Sequence, residues 1–509
     1  NGVARMTIAS DGAATFAGTL TVEGADAITI PDYILHSGDD SKFGFPSDDN
    51  FKIRLAGSDE FTISSSAAVF NTTLAATTFN GIPFYSDAAN NSMDTHDVSG
   101  QTNTAQYNTA YGFASLDAIT TGDQNTVIGY QAGSAINSSS GSVAIGYQAL
   151  FLEDSQGYNT AVGFRALKNQ NSDALTYNVA MGYASQEVCV SGRYNVSIGG
   201  EAMYTNSDGD NNTAIGFRAL KYFEADTDGH GNNTAVGANA GENISTGTSN
   251  VAVGQSAMGT GATTGNENVA VGHRAGLTLT SGPRNTLIGS STGDALTTGY
   301  YNTALGYQAL SSSVSGRNAV AIGYQALMSE ASSNSETYNV AVGYVAGTNI
   351  TTGTHNTLIG ALAGDALTTG TANVAIGYGS LSAEDEHGHN IAIGYQALVS
   401  QNAGTNAYNV AVGSAAGTSI TTGETNVIIG GLAGDALTTS SGNVAIGYSA
   451  LSAEDAHGRN TAIGFSALRA QDAGADAYNT AVGYNAGLAV TTGIANVIMG
   501  GLAGDALTT

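Results

Sequence analysis

Asn373-Val374-Ala375-Ile376-Gly377-Tyr378 is one of 23 versions of a single hexamer that recurs from Asn108 almost to the C-terminus. Others read Asn159-Thr160-Ala161-Val162-Gly163-Phe164, Asn302-Thr303-Ala304-Leu305-Gly306-Tyr307 and Asn443-Val444-Ala445-Ile446-Gly447-Tyr448, and most begin 17 residues after the one before. A fixed period of this kind describes a stack of like units, each burying its apolar face on its neighbour. It overrides the expectation that a chain of 509 residues folds as several globular domains.

Seventeen residues are too few for the common helical repeats and suit one coil of a parallel β-solenoid, with two short strands and two turns per coil. At the spacing of paired strands, ~4.8 Å, the 23 units stack into a rod on the order of 110 Å long. Within the hexamer, alternation places Val374 and Ile376 on one strand face, expected to fill the coil, and Ala375 on the other. Ala445 and Ile446 occupy the same places in a later copy. A row of alanines on the second face predicts close approach of another backbone, and the simplest partner for a uniform rod is another copy of itself. The fifth position, Gly377 and Gly447 among them, is glycine in all 23 copies, which points to a positive φ or to a contact too tight for a Cβ. Asn373 and Asn443 open their copies, and an amide there satisfies turn backbone or stacks in a ladder.

A longer period lies above the first. From residue 285 onward every fourth unit is altered, as in Asn356-Thr357-Leu358-Ile359-Gly360-Ala361 and Asn426-Val427-Ile428-Ile429-Gly430-Gly431. A bulky residue replaces the alanine, and Ser, Ala or Gly replaces the following aromatic, so volume gained in one place is expected to be given up in the other. This super-repeat of about 70 residues also carries a lengthened loop near 328–338, 398–408 and 468–478, expected to project from one flank.

Residues 1–85 differ. Met6 to Phe16 and Phe61 to Phe70 each read as strand, polar turn and strand, and Phe51-Lys52-Ile53-Arg54-Leu55 alternates as a half-exposed strand does. Small β modules over 1–85, a polar connector or cap over 86–107 and a repeat shaft over 108–509 follow. Because the sequence opens on Asn1 and closes at Thr509 partway through a repeat, it reads as a segment of something longer, truncated at its C-terminus.

With 14 basic and 41 acidic residues and a formal charge of -27, the chain lacks the clustered Lys and Arg that grip nucleic acid or an anionic membrane. The acidic surface keeps a long particle soluble, with divalent-cation binding as the alternative use. No apolar run approaches the roughly 18 residues that span a bilayer, so no membrane insertion is expected in this segment. Cys189, the single cysteine, forms no intrachain disulfide and is expected to be a small buried hydrophobe.

The Asn-x-Val-Ala-Ile-Gly-x-x-Ala/Ser pattern, as in Asn443 to Ala450 and Asn373 to Ser380, resembles the head repeat of YadA-like trimeric autotransporter adhesins. The Asn-Thr-Ala-Ile/Val-Gly-Tyr-Gln-Ala-Leu variant, as in Asn302 to Leu310, resembles repeats of bacteriophage tail fibres, and so do Gly12 to Leu20 and Ala76 to Gly81. These resemblances imply an all-β fold, a left-handed β-roll in which three chains wind about a common axis or lie side by side. They imply a phage tail or virion fibre, extracellular, whose homotrimeric shaft joins other fibre or virion proteins and projects a receptor-binding end toward a glycan or protein on the host. A bacterial surface adhesin or extracellular filament is the alternative. The 17-residue step exceeds the commonest adhesin coil, and no coiled-coil stalk or membrane anchor is visible.

Candidate chemistry is sparse. His387-Gly388-His389 places two imidazoles on one side of an extended strand, and three chains then offer six nitrogens to a transition metal, as in the His-x-His iron sites of some phage fibres. The equivalent later loop, Glu454-Asp455-Ala456-His457-Gly458-Arg459, lacks the second His, so no metal or other cofactor is assigned. Asp294, Asp365, Asp435 and Asp505 recur in Gly-Asp-Ala-Leu-Thr-Thr and read as turn caps before calcium ligands. Tyr130, Tyr147, Phe164, Tyr307, Tyr324, Tyr395 and Tyr484 follow the glycine and are expected to pack between coils, with stacking on sugars as the exposed alternative. No nucleophile elbow, phosphate loop or zinc signature is present, and no catalytic residue is assigned. A depolymerase needs two acids across a cleft. Ice binding, suggested by Thr351-Thr352-Gly353 and Thr421-Thr422-Gly423, needs a Thr row on every coil, which these irregular runs do not supply.

Overall fold

The computed structural model describes residues 104–509, apart from 156, 226–229 and 332–335, and the backbone of short strands in the first 103 residues. The chain divides into Asn1–Tyr85 and Ser86–Thr509. In the first unit Met6–Ile8 pairs antiparallel with Ala14–Phe16, the hairpin read there, and Ser58–Ile63 pairs antiparallel with both Phe51–Leu55 and Ala68–Val69. The connector over 86–107 lies mostly outside the described residues. The backbone of Ser92–Asp94 is an exception and pairs in parallel with the first solenoid strand at Met93 and Thr109.

The second unit is a parallel β-solenoid. Its strands run from Thr109–Tyr111 to Val497–Met499, each three residues long, and each pairs in parallel with the next in one continuous sheet. Val374, Ala375 and Ile376 stand opposite Ile391, Ala392 and Ile393. Longer steps leave this register intact: Thr160 faces Val179 and Thr213 faces Thr234, so extra residues loop out of the turn without sliding the strand. Among the described residues there is no helix, and none long and apolar enough to cross a membrane.

Two sequence expectations about the coil are corrected. First, each coil carries one regular strand, not two. On the far side positive φ recurs at every second residue, as at Gly394 (140°), Gln396 (52°) and Leu398 (50°). Successive amides therefore point alternately to the coil before and the coil after: Gln396 N donates to the Tyr378 carbonyl (2.8 Å) and Leu398 N to that of Ala416 (3.1 Å). The coils are hydrogen-bonded on this side without forming a strand.

Second, the strand faces are reversed. Ala375, Ala392 and Ala445 point inward and are fully buried, whereas Val374, Ile376, Val444 and Ile446 point outward and are half-buried. The cause is cross-section. The interior also receives the ninth residue of each unit, Leu381, Leu398 or Leu451, and the twelfth, Leu367, Ile420 or Leu437, so the strand has room for little more than a methyl group. Where a larger residue points inward from the strand, the ninth is glycine. A Cβ on Gly364 would lie 2.9 Å from Leu358 Cδ2, and one on Gly434 would lie 3.1 Å from Ile428 Cδ1. The super-repeat thus trades volume inside the coil, between residues 358 and 364 or 428 and 434, and not with the missing surface aromatic.

The asparagines form the expected ladder and also satisfy the turn. Asn373 N donates to Asn356 Oδ1 (3.0 Å), Asn390 N donates to Asn373 Oδ1 (3.0 Å), and Asn373 Nδ2 donates to the His387 carbonyl (3.1 Å). Asn443 repeats the arrangement between Asn426 (2.9 Å) and Asn460 (3.0 Å). Every amide here is buried, so each rung fills an acceptor or donor that nothing else reaches.

The apolar core is interrupted once. One cluster runs from Ala105 to Cys189 and another from Ala202 to Ile498. Between them the inward positions are polar: Ser185 donates to the Ser197 carbonyl (2.9 Å), Ser197 Oγ to that of Ala202 (3.0 Å), and the buried Gln186 amide has no hydrogen-bond partner. Cys189 is buried as expected, and burial pushes its thiol up to about 12. Gln186 stands where Leu167 and Leu220 stand in other coils. Gln186→Leu is therefore expected to raise unfolding stability by about 1–3 kcal/mol, seen as a higher urea midpoint at unchanged slope.

Candidate assembly surface

Outward positions recur at every second residue around the strand. In one coil they are Tyr338, Val340, Val342 and Tyr344, with Asn339 and Ala341 buried between them. The sheet therefore presents a central band of β-branched side chains with an aromatic column along each margin.

After the glycine, Phe113, Tyr130, Tyr147, Phe164 and Tyr183 stack ring on ring with centroids 5.0 to 5.7 Å apart. The column resumes with Tyr307, Tyr324 and Tyr344, with Tyr378 and Tyr395, and with Tyr448, Phe465 and Tyr484. These rings do pack between coils, as expected, and they are exposed as well: Tyr378 and Tyr448 keep about half of their surface open, at 49% and 51%.

The second column, before the asparagine, escaped the sequence reading although the Tyr-Asn pair recurs. It includes Tyr158, Tyr177 and Tyr194 (5.3 and 5.9 Å) and Arg459 over Tyr478 (5.4 Å). Each of these residues has positive φ, 67° at Tyr158 and 52° at Tyr478. That conformation turns the side chain outward one residue before the buried asparagine.

The band between the columns is uncharged throughout. No first or third strand position carries a charge, although the chain holds 14 basic and 41 acidic residues. Ion pairs lie beside the band or on the turns: Glu267 with Arg284 (2.7 Å) stands at the margin before the asparagine, and Lys221 with Glu201 (2.8 Å) and Arg218 with Glu201 (2.9 Å) join neighbouring coils.

The two histidines considered for a metal are separated. His389 is exposed and stacks on Tyr408 at 5.0 Å. His387 turns toward the twelfth residue of its coil, with Nδ1 3.7 Å from Glu384 Oε1. Glu384 and Asp385, which precede the His-x-His in sequence but were given no ligand role there, join it: one ligand atom from each of the three lies within 4.8 Å of the others, and Glu454, Asp455 and His457 repeat the group. Burial pushes Glu384 and Glu454 up to about 7. Among the recurring aspartates, Asp365 accepts from Ser382 Oγ of the next coil (2.6 Å), and burial raises Asp294 and Asp435 above the usual carboxylate range. No cluster of potential ligands forms around these aspartates among the described residues. Compared with known proteins, the chain matches no family model, no curated protein and no solved structure.

Proposed function

We propose that this chain is a segment of a homotrimeric fibre, a phage tail or virion shaft that carries a receptor-binding end toward the host surface. The observation that supports this most is the outward strand band, uncharged on every strand from Thr109–Tyr111 to Val497–Met499 in a chain of charge -27. A face left uncharged along its whole length, on a chain with that much charge, is suited to being covered.

The covering partner needs the same repeat along its whole length, because side chains spaced by ~4.8 Å per coil interdigitate only with rows of equal spacing. A copy of the same chain meets that requirement without a second gene product, and closed rotational symmetry limits growth sideways. In this reading the shaft supplies length and stiffness. Recognition of a glycan or protein receptor falls to projecting loops or to attached fibre proteins, outside the host cell and outside the virion body.

Light scattering of the purified full chain at low micromolar concentration is expected to give three times the chain mass. A mass of one chain under those conditions would remove the proposal.

A further inference from the structure

We propose that Glu384, Asp385 and His387, and again Glu454, Asp455 and His457, form two copies of a binding site for a first-row divalent transition ion, best suited to Zn²⁺. Two carboxylates and one imidazole are a borderline donor set, which Zn²⁺ accepts and which larger hard cations such as Ca²⁺ do not favour. The His387 Nδ1 to Glu384 Oε1 separation is 3.7 Å, and His457 Nδ1 to Glu454 Oε1 is 4.0 Å. Zn²⁺ holds nitrogen and oxygen donors at roughly 2.0–2.2 Å, so an ion between them needs only a small closure of either pair.

One carboxylate oxygen and one imidazole nitrogen in each group are left unmatched. In the first site Glu384 Oε2 and His387 Nδ1 are buried without a hydrogen-bond partner, and the Glu384 side chain is 0% exposed. In the second site Glu454 Oε2 and His457 Nδ1 are in the same state, again with a glutamate side chain 0% exposed. Leaving a buried carboxylate oxygen and an imidazole nitrogen unmatched is costly, and two occurrences one super-repeat apart make it a feature of the sequence.

A third loop of the same chain supplies the control. Glu153-Asp154-Ser155-Gln156-Gly157 has the same spacing to its asparagine but carries Gln where the others carry His. There Asn159 Nδ2 donates to Glu153 Oε2 at 3.2 Å, so the buried acid is matched by the asparagine amide. In the two His-bearing loops the corresponding amides, Asn390 Nδ2 and Asn460 Nδ2, are buried and unpartnered as well. The carboxylate has left the amide and stands by the imidazole only where an imidazole is present.

The backbone holds the group in place. His387 N donates to Glu384 Oε1 (3.1 Å), and the Asp385 carbonyl accepts from Thr368 N (2.6 Å) and Thr368 Oγ1 (2.9 Å) of the preceding coil. Asp455 receives the same pair of bonds from Thr438, at 2.6 and 2.8 Å. An ion there cross-links a turn that these bonds already fasten to the coil before it. The histidines remain 25% and 35% exposed, which leaves a path for the ion and room for water to complete its shell.

The test uses the full chain, stripped with chelator and titrated calorimetrically with ZnCl2. Wild type is expected to take up two ions per chain, His387→Gln one, and His387→Gln/His457→Gln none. The melting temperature is expected to rise with Zn²⁺ in wild type and to stay fixed in the double variant. Circular dichroism without metal checks that the double variant is folded. If it is not, Glu384→Gln/Glu454→Gln is read in the same way, since Gln401 and Gln471 already occupy that position in other coils. Failure of wild type to bind two ions, or binding undiminished in the folded double variant, overturns the proposal. The count is per chain, so it does not depend on how many chains assemble.

Discussion

Gly377→Ala is expected to separate two coils of the solenoid and to lower stability by about 3–5 kcal/mol, from strained backbone and overpacking together. Gly377 sits at φ 130°, and a Cβ there would lie 2.4 Å from the Gly394 carbonyl oxygen and 2.6 Å from its carbon. Those atoms are backbone and cannot rotate away. Gly394 in turn faces the Gly413 carbonyl at 2.2 Å from its own hypothetical Cβ, so the displaced coil has nowhere to retreat. Gly404 is the matched control, with φ 69° and nothing within 4 Å of a Cβ, on an exposed lengthened loop. Gly404→Ala carries only the left-handed backbone term, about 1–2 kcal/mol. Hydrogen exchange distinguishes the two: the Gly394 amide, which donates to the Ile376 carbonyl (2.7 Å), is expected to lose protection in Gly377→Ala and to keep it in Gly404→Ala. Equal protection in both variants would mean that the column of glycines is not tightly stacked.

The repeat length, the glycine column and the asparagine ladder were legible because each rests on one residue type in one place, and a repeated demand leaves a repeated letter. Which face of the strand turns inward was not legible. Val374 and Ile376 are larger than Ala375, and the rule that larger apolar residues lie inside holds when the interior has room. Here Leu381 and Leu398 had already claimed it, and that is a fact about cross-section rather than pattern. The buried glutamates could have been found. The twelfth position reads Ile136, Glu153, Gln170 in succession and later Leu367, Glu384, Gln401, so an acid appears in a buried column shared by core residues and amides. A His-x-His pair drew attention to His389, whose side chain faces away, because spacing along the chain says nothing about the φ of 63° that turns it outward.

The reversal of the strand faces makes assembly separable from folding: if the proposed trimer forms through the outward band, the triple variant Ile376→Lys/Ile393→Lys/Val412→Lys is expected to give folded monomers. All three side chains point outward from consecutive strands and are half-buried, so within one chain a lysine can lay its methylenes along the sheet and keep its ammonium in water. Circular dichroism and the far-side hydrogen bonds are expected to survive. Across a covered interface each ammonium loses its solvent with no carboxylate opposite, because the band carries no charge on any strand, and the effective penalty is several kcal/mol per ion. With every chain contributing three such groups, the cost weighs against assembly along those coils. Ala375→Lys behaves in the opposite way: Ala375 is 0% exposed inside its own coil, so that single lysine is expected to unfold the surrounding coils whatever the assembly state. Light scattering and circular dichroism read together decide the matter. A triple variant that keeps the trimer mass shows that the chains meet through another surface, and one that unfolds shows that the Val and Ile side chains support the coil itself.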